Sequence, residues 1–330
     1  MIDNITVRRQ AGGTVDEDRG KRMASGDVSL DGRVAIVTGS GRGLGLAYAV
    51  ELARRGAAVV VNDVDDDVAQ AAAARVEEAG GRAVAVVAPV GPTATARQLV
   101  ATAVETFGRL DVLVTNAGVL RDTVLWKMTD DDFDTVVGVH LRGTFTCVRE
   151  AATQMRAQGE GGRIVCVGSP TGQRGNFGQT NYAAAKAGIV GMVRTWAMEL
   201  ARAEVTVNAV VPVAATAMTE TVPFFRPFVE AERRGDPMPP FARRVLGFGG
   251  PDDVAGLVAF LASGAAAGIT GQAIGVGGDR LALWSHPQEV AVALAEGGWT
   301  ADELAQDFAS TLGPHLQTVG QELPEPPAEG

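Results

Sequence analysis

The chain has 330 residues, of which 46% are hydrophobic, 5% aromatic and 42 glycine, with a formal net charge of −10. This length suits one large α/β domain with extensions, and the acidic balance argues against a nucleic-acid partner, whose phosphates need clustered Lys and Arg. No run approaches the roughly 18 apolar residues that span a bilayer, and MIDNITVRRQ lacks the apolar stretch of a secretory signal.

Residues 1–30 are polar and aperiodic and read as a flexible arm, with Met23 an equally acceptable start. From Arg33 the chain alternates between strands and helices. RVAIVTG (33–39) is a strand, GLAYAVELARRG (45–56) a helix, AAVVVND (57–63) a strand, and DDVAQAAAARVEEAGG a helix with a glycine stop. RAVAVVAPV (82–90), a helix around 94–107 and LDVLVTNAG (110–118) continue the rhythm. A long helix over 130–157 leads to the strand GRIVCVGS (162–169), a helix over 181–202 and the strand VTVNAVVP (205–212). A helix over 251–262 and GQAIGVGG (271–278) complete seven strands.

This spacing predicts a Rossmann-type, doubly wound, seven-stranded parallel sheet in a single domain over 31–280. Segment 214–250, rich in Pro, Phe and Arg, is either a surface excursion or a substrate lid beside the sheet's C-terminal edge. A helical extension containing TADELAQDFASTL is expected over 281–330, ending in a disordered QELPEPPAEG. Cys147 and Cys166 sit in hydrophobic runs and read as reduced thiols of a cytoplasmic protein. His140, His286 and His315 stand too far apart in the chain to suggest a metal site.

TGSGRGLG (38–45) joins the first strand to the first helix as T-G-x-x-x-G-x-G through Gly39, Gly43 and Gly45, with Ser40, Arg42 and Leu44 between them. Such a loop turns tightly and brings backbone N–H groups at a helix start to a pyrophosphate. Asp63 closes the second strand, where a carboxylate can accept hydrogen bonds from an adenine ribose, and Asp65 is the better placed helix cap. Asp63 would repel a 2′-phosphate whereas Arg42 could meet one; the balance points to NAD over NADP.

Ser169 ends a buried strand, and Tyr182 and Lys186 stand one helical turn apart. A phenol with a pKa of about 10 is a poor base at neutral pH. A neighbouring ammonium and the positive nicotinamide ring would draw it towards the working pH. Ser169 could then hold a substrate oxygen while Tyr182 moves the proton and C4 of the nicotinamide takes the hydride.

These residues resemble the short-chain dehydrogenase/reductase family: the glycine motif at 38–45, N-A-G at Asn116, Ala117 and Gly118, and Ser169 thirteen residues ahead of Y-x-x-x-K at 182–186. NAGVLRD (116–122), VHLRGTF (139–145) and GNFGQTNYAAAK (175–186) are similar to the (3R)-hydroxyacyl-CoA dehydrogenase part of peroxisomal multifunctional enzyme type 2 and its bacterial relatives. That resemblance implies NAD-dependent oxidation of a 3-hydroxyacyl-CoA with a fatty or steroid side-chain acyl group, and a homodimer or homotetramer. It adds Asn116, Ala117, Gly118, Val90, Pro212, Val213, Tyr182 and Lys186 to the cofactor contacts.

Three positions depart from the family pattern. His140 stands where the family's tetrad has Asn, either serving through its main-chain carbonyl or filling the core. Pro89-Val90 replaces Asp-Val, leaving the Val90 backbone. Pro212-Val213 replaces Pro-Gly, with Thr216 and Thr219 as candidates to cap the nicotinamide amide. Arg121, Arg142, Arg226, Arg233, Arg234, Arg243 and Arg244 could meet CoA phosphates or be solvated surface charge. The competing expectations are a hydroxysteroid or other small-alcohol dehydrogenase acting on a non-thioester, and a catalytically silent NAD-binding fold. Retention of Ser169, Tyr182 and Lys186 weighs against the last.

Overall fold

The computed structural model describes residues 28–216, 218–222, 224–320 and 324. Most of the expected arm and of the QELPEPPAEG end therefore lies outside the described residues. Leu30, the last residue of that arm, is buried and donates its N–H to Arg55 O at 2.7 Å, so it belongs to the core.

One sheet runs in the order β3-β2-β1-β4-β5-β6-β7-β8. β1 (Val34–Thr38), β2 (Ala58–Asp63), β3 (Arg82–Val87), β4 (Val112–Thr115), β5 (Gly162–Val167), β6 (Val205–Pro212) and β7 (Ala273–Gly277) are parallel to their neighbours. These are the seven expected strands. The eighth, β8 (Arg280–Trp284), pairs antiparallel with β7 around Gly278-Asp279 and falls where a helical extension was expected. A two-residue Gly-Asp connection favours a hairpin, and its edge position leaves Leu281 and Leu283 exposed. The extension is otherwise irregular apart from a 3-10 turn (Gly313–His315) and the short helix α10 (Ala301–Asp307), which opens with a Thr300–Glu303 capping box and buries none of its residues. With none of its residues buried, tertiary packing adds little to extend it.

Helices α1 (Gly43–Arg54), α2 (Asp66–Glu78) and α9 (Asp252–Ala262) cover one face, burying Tyr48, Leu52, Val76, Val254 and Val258 against the strands. α3 (Thr93–Phe107), α5 (Gly143–Gln158) and α7 (Thr180–Glu199) cover the other with Leu99, Val148, Met155, Ile189 and Val193. Small Ala and Val side chains on the helices let them lie close to a sheet whose central strands are buried on both faces. The expected helix over 130–157 is α4 (Asp130–Val137) followed by a π-turn (Gly138–Arg142) and then α5. That wider turn carries His140. Strand order reverses between β1 and β4, which opens a crevice at their carboxyl ends. None of the described helices is long and apolar enough to cross a membrane.

Candidate active site

The glycine loop sits at this crevice and is braced from β4. Asn116 Nδ2 donates to Gly39 O (2.8 Å) and Thr38 O (3.2 Å), while Thr38 Oγ1 accepts from the N–H groups of Asn116 and Ala117 at 3.0 and 3.2 Å. Ser40 Oγ donates to Val37 O at 2.7 Å and accepts from Asn62 N at 3.0 Å, tying β1 to β2. A Cβ at Gly45 would strike Gly39 O and lie 2.5 Å from Asn116 Nδ2, so only glycine lets α1 start this close to the loop. Arg42 occupies the N-cap without a side-chain cap bond, and Gly43 faces open space. The first N–H groups of α1 are therefore available to an anion.

Asp63 lies beside this loop, accepting from Gly41 N (3.2 Å), Val64 N (2.8 Å) and Asp65 N (3.3 Å), while Asp65 caps α2 through Val68 N. Val90 is half-buried past the end of β3 and packs towards Gly143. Pro212 pairs with Val276, and Val213 N donates to Val276 O at 3.0 Å. Thr219 Oγ1 donates to Ala214 O at 2.8 Å and accepts from Thr216 N at 2.8 Å, so the two candidate threonines form one turn. Open backbone N–H groups, a glycine cradle and a flanking carboxylate together fit a nicotinamide dinucleotide.

Ser169, Tyr182 and Lys186 come together at the other side of the crevice. Ser169 caps the short helix α6 (Pro170–Arg174), its Oγ accepting from Thr171 N at 3.2 Å. Tyr182 lies in the first turn of α7 with Lys186 Nζ 5.6 Å from its ring centroid, and Nζ donates to Val167 O at 2.7 Å. All three residues are buried. Burial pulls the Lys186 ammonium down to about 7. It pushes the Tyr182 phenol up to about 12, with the Ser169 hydroxyl acting downward and the Asp122 charge upward. In the free protein, loss of hydration sets the phenol high; the expected move towards neutral pH also calls on the positive charge of a bound nicotinamide ring.

His140 is buried, as the core reading expected. It is 2% exposed, and its ring stands edge-on to Tyr182 at 5.1 Å. Nε2 lies 2.8 Å from Val119 O and 3.1 Å from Val119 N, whereas buried Nδ1 has no partner among the described residues. Burial holds its pKa near 3, so the imidazole stays neutral. A Cβ at Gly118 would strike this ring, which gives the last glycine of N-A-G a steric reason.

Segment 214–250 folds back as α8 (Arg226–Arg234) and a small apolar cluster in which Phe225 stacks on Phe248 at 4.8 Å. It brings Met218 Sδ to 4.0 Å from Tyr182 Oη. Four of the arginines considered for CoA phosphates have carboxylate partners: Arg233 with Glu220, Arg234 with Asp236, Arg243 with Asp253 and Asp279, and Arg244 with Asp279. The extension returns to the loop after Ser169, where Arg174 Nε donates to Gly320 O and Gly320 N to Arg174 O, each at 2.8 Å. Sequence reasoning assigned no role to Asp122, Gln179 or Asn181, which surround the start of α7. Their presence inside NAGVLRD and GNFGQTNYAAAK was the available signal.

The family described as short chain dehydrogenase matches residues 33–224. Hydroxyacyl-CoA dehydrogenase ChsB1 of Mycobacterium tuberculosis is 43% identical over 84% of this chain and 87% of that protein. Peroxisomal multifunctional enzyme type 2 of Drosophila melanogaster is 45% identical over 61% of this chain, a match that spans 35% of that enzyme's length. The 3-oxoacyl-[acyl-carrier-protein] reductase of Synechocystis is 42% identical over 76% of this chain and 98% of its own. The crystal structure of a short chain dehydrogenase from Mycobacterium avium, 35% identical, superposes with a TM-score of 0.74 over 89% of this chain and 98% of that one. With the family matched from the first strand into the segment beyond the sixth, the chain belongs to the short-chain dehydrogenase/reductase family, oxidoreductases of CH–OH groups that use a nicotinamide cofactor.

Proposed function

We propose that the protein is an NAD-dependent dehydrogenase that oxidises the secondary alcohol of a (3R)-hydroxyacyl-CoA, with an acyl group of fatty or steroid side-chain origin. The observation that carries this reading is the convergence of Ser169, Tyr182 and Lys186 beside a crevice whose backbone fits a dinucleotide. Asp63 at the ribose end favours NAD, because a carboxylate held by three backbone N–H groups has no room for a second anion.

A bound nicotinamide ring supplies the hydride acceptor. Ser169 holds the substrate oxygen by its hydroxyl, and Tyr182 Oη, deprotonated when the cofactor's positive charge is present, takes the hydroxyl proton. Lys186, held against Val167 O, places its amino group 5.6 Å from the centre of the phenol ring. His140 stays neutral and fixes the ring's edge. Burial of the group excludes water from the proton path. The thioester assignment is supported by the similarity to ChsB1 over most of both chains, which covers 84% of this chain against 76% for the acyl-carrier-protein reductase. Leu125, Trp126 and Phe177, exposed by 67%, 76% and 81%, line segments that meet beside the site and suit an apolar acyl group. Exposed Leu281, Leu283 and Leu294 on the extension support a homodimer or homotetramer.

The test is growth of NADH absorbance when NAD and a (3R)-hydroxyacyl-CoA are supplied, across short, long and steroid-side-chain thioesters. Turnover of free alcohols or steroids with none on thioesters overturns the substrate assignment, as does a strong preference for acyl-carrier-protein substrates with NADPH.

A further inference from the structure

The stretches NAGVLRD and GNFGQT lie far apart in the chain and are stitched together in the fold. Thr123 N donates to Gly178 O at 2.9 Å, Gln179 Nε2 to Asp122 Oδ2 at 2.7 Å, and Asn181 Nδ2 to Arg121 O and Asp132 O, both at 3.1 Å. Gln179 is the N-cap residue of α7, and its backbone O accepts from Ala183 N at 2.7 Å. Its side-chain Oε1 accepts from Thr171 Oγ1 at 3.1 Å and from Asn176 Nδ2 at 3.0 Å. Asn181 Oδ1 accepts from Tyr182 N at 2.7 Å. The turn that presents Tyr182 is therefore gripped from one side by residues 121–123 and from the other by the loop that follows Ser169.

Buried Gln179 and Asn181 use their amides in full view of that turn, which is how a side-chain network fixes one geometry. Asp122 is the only ionisable member of the Gln179 network, and it has no cationic partner among the described residues. We infer that Asp122 is a positioning residue for the reaction: through Gln179 it anchors the turn carrying Tyr182, and its negative charge opposes that of Lys186 at the phenol.

The charges and titratable groups facing Tyr182 are few. Lys186 comes from α7, His140 from the π-turn and the Ser169 hydroxyl from the end of β5, while segment 214–225 contributes the uncharged Met218. His140 is neutral through the working range. Partial loss of water raises Asp122 above the ordinary carboxylate value, with the Gln179 N–H acting downward. An anion beside a phenol disfavours phenolate. Removing the charge therefore lowers the pH at which Tyr182 ionises.

The inference rests on Tyr182 being the proton carrier, and the experiment separates the two. Asp122→Asn keeps an oxygen for Gln179 Nε2 and deletes the charge; Asp122→Ala deletes both; Gln179→Ala breaks the anchor and leaves the charge. The Tyr182 titration is read without any substrate, from phenolate absorbance in NAD-saturated protein, as the difference from Tyr182→Phe. Asp122→Asn is expected to move this midpoint down by about 0.5–1 pH unit and to lose less kcat than Asp122→Ala. Asp122→Ala and Gln179→Ala are expected to lower kcat by about tenfold, with KM for NAD unchanged. An unmoved midpoint in Asp122→Asn overturns the charge role. Equal kcat in Asp122→Ala and Asp122→Asn overturns the anchoring role. A Tyr182→Phe variant with normal turnover removes the proposed chemistry instead, whatever the Asp122 variants do.

Discussion

Between Thr38 and Gly45 the protein omits side chains so that backbone can approach backbone, whereas around Tyr182 it buries an ammonium, a phenol and an imidazole within a few ångströms of each other. The glycine loop is held by the Asn116 amide, the Ser40 hydroxyl and the Asp63 carboxylate, and the open N–H groups at the start of α1 are the functional part. At the catalytic end the functional atoms belong to side chains whose ionisation is displaced by burial, Lys186 down to about 7 and Tyr182 up to about 12. The difference teaches that the first half is a shape and the second an electrostatic balance. Lesions in the two should therefore separate binding from chemistry.

The largest effect is expected at Tyr182. Tyr182→Phe keeps the ring that Lys186 and His140 pack against and deletes only Oη, so turnover should drop by about 10²–10⁴-fold while NADH binding, followed by fluorescence, changes little. Equal losses in binding and turnover would erase the contrast between the halves. Gly45→Ala attacks the other half. Its Cβ would meet Asn116 Nδ2 at 2.5 Å and Ser40 Cα at 2.8 Å, so the loop or α1 must shift. Overpacking of this kind costs about 1–3 kcal/mol. Dinucleotide affinity measured by calorimetry should fall by roughly tenfold or more, and wild-type affinity would mean that the cradle is not the binding surface.

What could be read beforehand follows the same division. The glycine loop, the strand-end Ser169 and the Tyr182–Lys186 pair are local patterns, set by a strand–turn–helix junction or by one helical turn, and a single sequence carries them. β8 is also local, announced by the Gly278-Asp279 turn, which the helical expectation for the extension did not take into account. The Asp122–Gln179 bond joins residues 57 apart and depends on how β4 and α7 are placed, which no periodicity reports. The π-turn at Gly138–Arg142 is hidden for a different reason, since one extra residue in a turn barely disturbs the apolar spacing of the helix on either side. The ion pairs of Arg233, Arg243 and Arg244 were illegible too, because charge counts do not show which carboxylates face which arginines.

The smallest expected effect isolates what burial of Lys186 costs the free protein. An unfolded lysine ionises near 10.4, while the native one, stripped of water, ionises at about 7. Between those two values the unfolded chain holds a proton that the native chain has released, so stability rises with pH across that window. Below about pH 7 both states are protonated, and the folded protein carries the full cost of a buried ammonium whose one hydrogen bond among the described residues goes to Val167 O. Lys186→Met removes that cost and the pH dependence together, at the expense of the bond. The cofactor-free variant should melt higher than wild type at pH 6–7, by roughly 2–4 °C for each kcal/mol recovered. The gap should narrow steadily towards pH 10. Melting curves whose separation stays constant over this range would mean that the native ammonium keeps its proton, and the charge beside Tyr182 would then be permanent and not a quantity the bound cofactor and Asp122 can adjust.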